Sequence, residues 1–236
     1  MKNALFFLLA FLSAGLQAQD GYFGIAANFG VSRTGTLLSE SSTFDNPWAF
    51  SGHGGLYWEK EAGSSFRVGA TLLFVQVEGY EVRKGQELRF VVPAPGLPSE
   101  THLNSEFLYH YSYLALRPYA HLLLNRFYLG LGLQPMWLQA ASFKNRQQLI
   151  LFGQPGKKTE SGGGSLQNVN KLDVAPTLEA GVEISPRFRL QATYFRGLAP
   201  ILIKTGDTKI FNQQATLGLN FCLTCTSGKV VKGPGG

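Results

Sequence analysis

From Tyr22 onward the chain repeats one pattern eight times: apolar and polar residues alternate with a period of two. Successive side chains of a β-strand point to opposite faces, so sustained alternation means a strand with two different surroundings. The first segment, Tyr22 to Ser32, sets Phe23, Ile25, Ala27, Phe29 and Val31 on one face. The second, Trp48 to Glu59, aligns Trp48, Phe50, Leu56 and Trp58. The third sets Phe66, Val68, Ala70, Leu72 and Phe74 opposite Arg67, Gly69 and Thr71, and the fourth spans Phe107 to Leu124. The fifth opposes Phe127, Leu129, Leu131, Leu133 and Trp137 to Tyr128, Gly130, Gly132 and Gln134. The sixth opposes Leu172, Val174, Leu178, Ala180, Val182 and Ile184 to Asp173, Thr177, Glu179 and Glu183. The seventh opposes Phe188, Leu190, Ala192 and Tyr194 to Arg189, Gln191 and Thr193. The eighth opposes Phe211, Ala215, Leu217, Leu219 and Phe221 to Asn212, Gln214, Thr216 and Asn220.

The connections alternate as well. Glu61-Ala62-Gly63, Asn125-Arg126 and Ser185-Pro186-Arg187 are tight turns, whereas 33–47, 76–106, 142–168 and 198–209 are long. Short turns at one end and long loops at the other, with an even strand number, predict an all-β fold: an eight-stranded antiparallel transmembrane β-barrel with periplasmic turns and extracellular loops. Val77 to Val92 also alternates and predicts a hairpin rising above the membrane.

The aromatic residues support the membrane reading. Phe23, Trp58, Phe66, Phe127, Phe188 and Phe221 fall at the short-turn ends, and Phe29, Trp48, Phe74, Trp137, Tyr194 and Phe211 at the long-loop ends. Trp48/Trp58, Phe127/Trp137 and Phe211/Phe221 are each ten residues apart. In strands tilted near 40° this separation is about 25 Å, the height of the apolar band between two aromatic girdles. A soluble barrel or sandwich would gather such rings in a core instead of sorting them into two belts.

The N-terminus reads as an export signal over residues 1–18. Lys2 is its positive end, Leu5 to Leu12 its apolar run, and Leu16-Gln17-Ala18 its small-residue cleavage site. The run is too short to span a bilayer as a helix, and no later segment is long and apolar enough to do so. The barrel then occupies 19–223, and 224–236 is a flexible tail ending in Gly233-Pro234-Gly235-Gly236. Charged residues are only 15% of the chain, below the ~25% of a soluble domain. The +6 formal charge favours contact with outer-membrane lipid headgroups but is not gathered into a nucleic-acid groove.

The alternation sends Glu59, Arg67, Arg117, Asp173, Glu179, Glu183 and Arg189 inward. An eight-stranded barrel is just wide enough to be filled by side chains, so these charges are expected to pair into a structural lumen network. A narrow pore is the alternative. Glu179 and Glu183 stand about 13 Å apart along one strand, too far for a glycosidase pair. In the fourth segment the leucines are placed toward lipid and Ala115, Arg117, Tyr119 and His121 inward, with Pro118 marking a bulge.

Three smaller motifs remain. His110-Tyr111-Ser112 puts an imidazole and a hydroxyl on one strand face and resembles the His-x-Ser of lipid A deacylase barrels, with Tyr113 where that family has Asn and no third partner evident in the sequence. Cys222 and Cys225 in an extended strand would be about 10 Å apart, so a disulfide requires the chain to turn at Leu223-Thr224. Gly162-Gly163-Gly164 lacks the strand-to-helix setting of a phosphate loop. No cofactor or metal is expected.

The second half resembles the PorT-like outer-membrane β-barrel proteins. The likeness rests on Tyr113-Leu114-Ala115-Leu116-Arg117-Pro118, Tyr128 to Gly132, Leu172-Asp173 through Glu179-Ala180-Gly181-Val182-Glu183, Tyr194-Phe195-Arg196-Gly197-Leu198 and Leu217-Gly218-Leu219-Asn220-Phe221. Most such proteins have no assigned activity, and some are implicated in type IX protein secretion and gliding. The expectation is a non-enzymatic barrel, an envelope structural or secretion accessory component acting through its long extracellular loops, with a narrow pore and a lipid A deacylase-like enzyme as alternatives. The barrel's expected partners are outer-membrane lipids and other envelope or secretion proteins, not nucleic acid.

Overall fold

The computed structural model describes residues 21–36, 44–45, 47–87, 101–151, 154–166, 169–204 and 208–225. The export signal expected over 1–18 and the tail beyond 225 lie outside these residues. The principal strands are β1 (Tyr22–Thr36), β2 (Ala49–Glu61), β3 (Phe66–Glu87), β4 (Thr101–Leu124), β5 (Phe127–Leu151), β6 (Leu172–Glu183), β7 (Phe188–Arg196) and β8 (Thr208–Cys225). Each pairs antiparallel with its sequence neighbour, and β1 also pairs with β8 from Tyr22↔Cys225 to Thr36↔Ile210. That last pairing closes the sheet into an eight-stranded ring without a free edge, the condition for a β-sheet to cross hydrocarbon. No helix long and apolar enough to span a membrane occurs among the described residues.

The tight turns are where the sequence places them. Asn125 adopts φ 61° between β4 and β5, a left-handed conformation that Asn tolerates, and Gly63 takes φ 110° between β2 and β3. Outside the ring, large apolar side chains face outward: Leu131 is 69% exposed, Phe50 65% and Phe127 64%. In water this surface would be untenable; against lipid tails it is the solvent match that holds the barrel in place. Trp48, Phe66, Phe74, Trp137, Phe188 and Tyr194 are likewise exposed on this face, with Phe23, Trp58, Phe211 and Phe221 half-buried there.

At the opposite end from the short turns the strands run on as sheet. The segments 76–106 and 142–168, expected as loops, are largely strand: β3 continues to Glu87, β4 begins at Thr101 and β5 reaches Leu151. The return segment Thr159–Ser165 pairs with β5, and Phe44–Asp45 with β3. The reason is visible inside the upper barrel, where Val75, Val77, Tyr109, Tyr111 and Tyr113 pack with Met136, Ala175, Phe195 and Ile201. This apolar cluster holds the strands together where the bilayer no longer does. Residues 88–92, the rest of the hairpin expected over Val77 to Val92, lie outside the described residues.

The register shifts lie elsewhere than at Pro118, where a bulge is expected. Pro118 pairs in register with Ala70 of β3, with no extra residue. Bulges lie in β5, where Ser112↔Ala140 is followed by Tyr113↔Leu138, and in β8, where Phe23↔Thr224 is followed by Gly24↔Cys222, with further register shifts between Arg83 and Gln86 of β3 and at Asn145–Arg146 of β5. What Pro118 does is interrupt the other seam. The β4–β5 pairing stops at Ala115↔Met136 and resumes at Tyr119↔Gly132.

An outward leucine at mid-height should be the position least tolerant of charge. Leu131→Lys is predicted to cost about 2–4 kcal/mol of folding free energy, measured by urea titration of the barrel in lipid vesicles. An effect near zero would contradict the assignment of that face to lipid.

Candidate functional site

Glu59 is the centre of the lower lumen. β2 carries it inward, fully buried, opposite Gly69 of β3. The Tyr119 hydroxyl donates to its Oε1 at 2.8 Å and Arg189 Nη1 to its Oε2 at 2.5 Å. Arg67 Nη1 approaches Oε2 at 3.7 Å and donates to Glu183 Oε1 at 2.7 Å. Glu179 faces Arg117 Nε at 3.0 Å and His121 Nε2 at 2.8 Å. Three carboxylates thus meet three guanidinium groups. Aromatic rings frame it: Arg67 lies 4.8 Å from the Tyr22 ring centre and Arg189 5.3 Å from that of Tyr57. His121 is wedged between Tyr119 at 4.5 Å and Tyr128 at 4.6 Å.

Glycine makes room for these rings. A Cβ at Gly130 would stand 2.3 Å from His121, and one at Gly181 2.3 Å from Tyr128. The small residues on the polar face of the sequence pattern are therefore the complement of the large ones on neighbouring strands. Together they fill the lower lumen with packed side chains and ion pairs.

Of the seven charges expected in one lumen network, six meet and Asp173 does not. Asp173 pairs in register with Met136 at the far end of β6. Its Oδ1 accepts the amides of Val174 at 2.8 Å and Ala199 at 3.0 Å, and Oδ2 lies where a Cβ on Gly197 would collide at 2.2 Å. Six residues of strand separate it from Glu179, about 20 Å. Its role is to hold the chain after β7, whose Ile201 enters the apolar cluster.

Above the network the inward face changes character. His53 meets Gln214 at 3.2 Å, and Asn212 donates to the Tyr113 hydroxyl at 2.9 Å. Beyond these the lining is the apolar cluster already described. The upper lumen was legible only as alternation, because Tyr109, Tyr111 and Tyr113 do not by themselves reveal that Val75, Met136 and Phe195 face them.

His110 and Ser112 lie on the outer wall, as their parity requires. The register places Glu78 directly opposite His110, and Nδ1 stands 3.1 Å from Glu78 Oε1. That carboxylate is the partner the sequence could not supply, being thirty-two residues away and joined only by strand pairing. Glu106, also outward, binds Lys158 from the return segment and the Tyr80 hydroxyl. Against the opposing effect of partial burial, these two hold its carboxyl below the usual carboxylate range.

Cys222 and Cys225 are joined as a disulfide with Cα atoms 6.0 Å apart. The β8 bulge at Leu223 shortens the span and supplies the turn on which the bond depends. The strand continues through Cys225, two residues beyond the barrel end expected at 223. No cluster of metal-ligating residues occurs among the described residues.

No protein-family model matches the chain, and no curated protein does. Among solved structures it is similar to Neisserial surface protein A (NspA), at 11% identity and TM-score 0.37 over 84% of this chain and 96% of that one. It is similar to Ail, the attachment invasion locus protein of Yersinia pestis, at 15% identity and TM-score 0.36 over 86% and 99%. An outer membrane channel from Pseudomonas putida F1 matches at 10% identity and TM-score 0.29 over 86% and 94%. The assignment as a barrel rests on the ring closure of the chain itself.

Removing Glu59 should be far more damaging than its single charge suggests, since buried Arg189 would lose its nearest carboxylate and three guanidinium groups would face two carboxylates. Glu59→Ala is predicted to lose about 3–5 kcal/mol, read from urea unfolding in vesicles. A loss under about 1 kcal/mol would show that the network behaves as a solvated surface.

Proposed function

We propose that this chain is a non-conducting outer-membrane β-barrel of a Gram-negative envelope. It acts as an anchor that presents its extracellular hairpins to other envelope or secretion proteins. The observation that carries this reading is the division of the molecule: a lumen closed by balanced ion pairs below, and strands extended as sheet above. β4 and β5 each run far beyond the apolar band, to Thr101 and Leu151, and the return strand Thr159–Ser165 widens that projecting sheet. A barrel built for conduction would not fill its lumen with Arg117, Tyr119, His121 and Tyr128. The leader supports export, the short turns support a periplasmic lower end, and the resemblance to PorT-like barrels supports a role beside a secretion apparatus.

The test is conductance of the purified full chain in planar bilayers. The reading predicts no stable open channel. A stable conductance would replace it with the narrow-pore alternative. Crosslinking in intact envelopes would identify the protein held by the projecting sheet.

A second reading has one observation behind it. Glu78, His110 and Ser112 share the outer wall about 10 Å above the level of Phe74, and the 3.1 Å His110–Glu78 contact orients the imidazole as a carboxylate does in a hydrolase triad. The substrate class would be an ester of an outer-leaflet lipid. Loss of a lipid A acyl chain on expression, abolished by His110→Ala, would establish it; an unchanged lipid profile would remove it.

A further inference from the structure

Two prolines stand diagonally across a single seam in the wall, Pro118 at the level of Leu133 and Pro135 at the level of Leu116. Leu123 N donates to Ser65 O on the β3 side, so even-numbered residues of this part of β4 direct their backbone groups at β5. Glu183 N donates to Arg126 O and Leu138 N to Lys171 O on the β6 side, so odd-numbered residues of β5 up to the bulge direct theirs at β4. Pro118 and Pro135 therefore both point a nitrogen without a hydrogen into the β4–β5 seam. The carbonyls of Leu133 and Leu116 lose the ladder donors they would otherwise have. This is the stretch, 116–118 against 133–135, over which the paired register lapses. In hydrocarbon an incomplete ladder is the weak line of a barrel wall.

The two halves of the lumen meet behind that line. Below it lies the charge-balanced plug. Above it lies the apolar cluster, with Tyr113, Ala115, Met136, Ala175 and Phe195 buried. Immediately behind the gap stand Arg117 and Gln134, both almost fully buried. Arg117 Nη1 and Gln134 Oε1 have no hydrogen-bond partner. A donor beside an acceptor, at the base of a packed apolar cluster, suits a carboxyl group carrying a hydrocarbon chain.

We propose that the β4–β5 seam is a lateral entry from the bilayer through which a single-chain fatty acid reaches the upper lumen. Its carboxyl group meets Arg117 and Gln134, and its chain replaces the packing among Tyr113, Met136 and Phe195. The plug beneath stops it from going further, so the site exchanges with the membrane and not with the periplasm. This role is separate from the anchoring function, which depends on the projecting strands.

The probe is dodecanoic acid bearing a diazirine at its terminal carbon, added to vesicles holding the full chain, irradiated, and followed by mapping of the adducts. Adducts are expected on inward-facing residues such as Tyr111, Tyr113 and Met136 as well as on outward Leu131 and Leu133. In Pro118→Val/Pro135→Val, where valine supplies the missing donors, the inward adducts should be lost and the outward ones kept. Leu116→Cys/Pro135→Cys provides a second closure. When oxidised it should lack inward adducts and regain part of them on reduction, since Pro135→Cys restores one missing donor while Pro118 leaves the other absent, with the unmodified chain under the same reductant controlling for Cys222–Cys225. Adducts confined to outward residues in the native chain, or inward adducts that persist in both closed variants, would overturn the proposal. A native barrel that binds the acid this way yet conducts ions would refute the closed-anchor reading and leave the seam standing.

Discussion

Hydrocarbon offers no partner to a peptide N–H or C=O, and the architecture of this chain follows from that lack. A strand in the bilayer must be paired on both sides, so the sheet has to close, and the β1–β8 ladder from Tyr22↔Cys225 to Thr36↔Ile210 is what closes it. Closure at eight strands leaves a lumen about as wide as two facing side chains, so the inward residues must fit one another. That is why Gly130 lies beside His121 and Gly181 beside Tyr128. It is also why the buried charges occur as matched carboxylates and guanidinium groups: an unpaired ion in so dry a space would cost several kcal/mol.

The same constraint explains where the structure departs from it. At 116–118 and 133–135 the ladder is incomplete, because Pro118 and Pro135 cannot donate. The neighbouring strands remain in register on either side of the gap, so the defect is contained within the wall. Its position, at the boundary between polar plug and apolar cluster, gives it a use that a random interruption would lack. Above the membrane, water satisfies free backbone groups, yet the strands continue. There the apolar cluster around Val75, Val77 and Tyr111 holds them, a core in the ordinary soluble sense inside a barrel whose lower half has none.

Much of this was legible in the sequence because the signals are local. Period-two alternation assigns faces, and it sent Arg67, Arg117 and Glu179 inward and Phe66, Leu131 and Trp137 outward without knowledge of any contact. Turn residues such as Asn125 mark the short ends. What the sequence could not reveal depends on register, which couples residues far apart in the chain. Asp173 shares the parity of Glu179 but sits at the other end of its strand, so it ties down Ala199 instead of joining the plug. Glu78 reaches His110 only because β3 and β4 pair as they do. Pro135 gains its meaning from Pro118 for the same reason. The strand extensions were underestimated because polar residues on a water-facing strand resemble a loop.

Closure is the claim on which the plug, the girdles and the seam all depend. Amide hydrogen exchange of the full chain in lipid vesicles tests it most directly. The β1 and β8 amides that face each other, from Ile25 to Val31 and from Ala215 to Phe221, should be as strongly protected as those between β2 and β3. Fast exchange along the facing edges of β1 and β8, with protection kept elsewhere, would mean that the sheet is open.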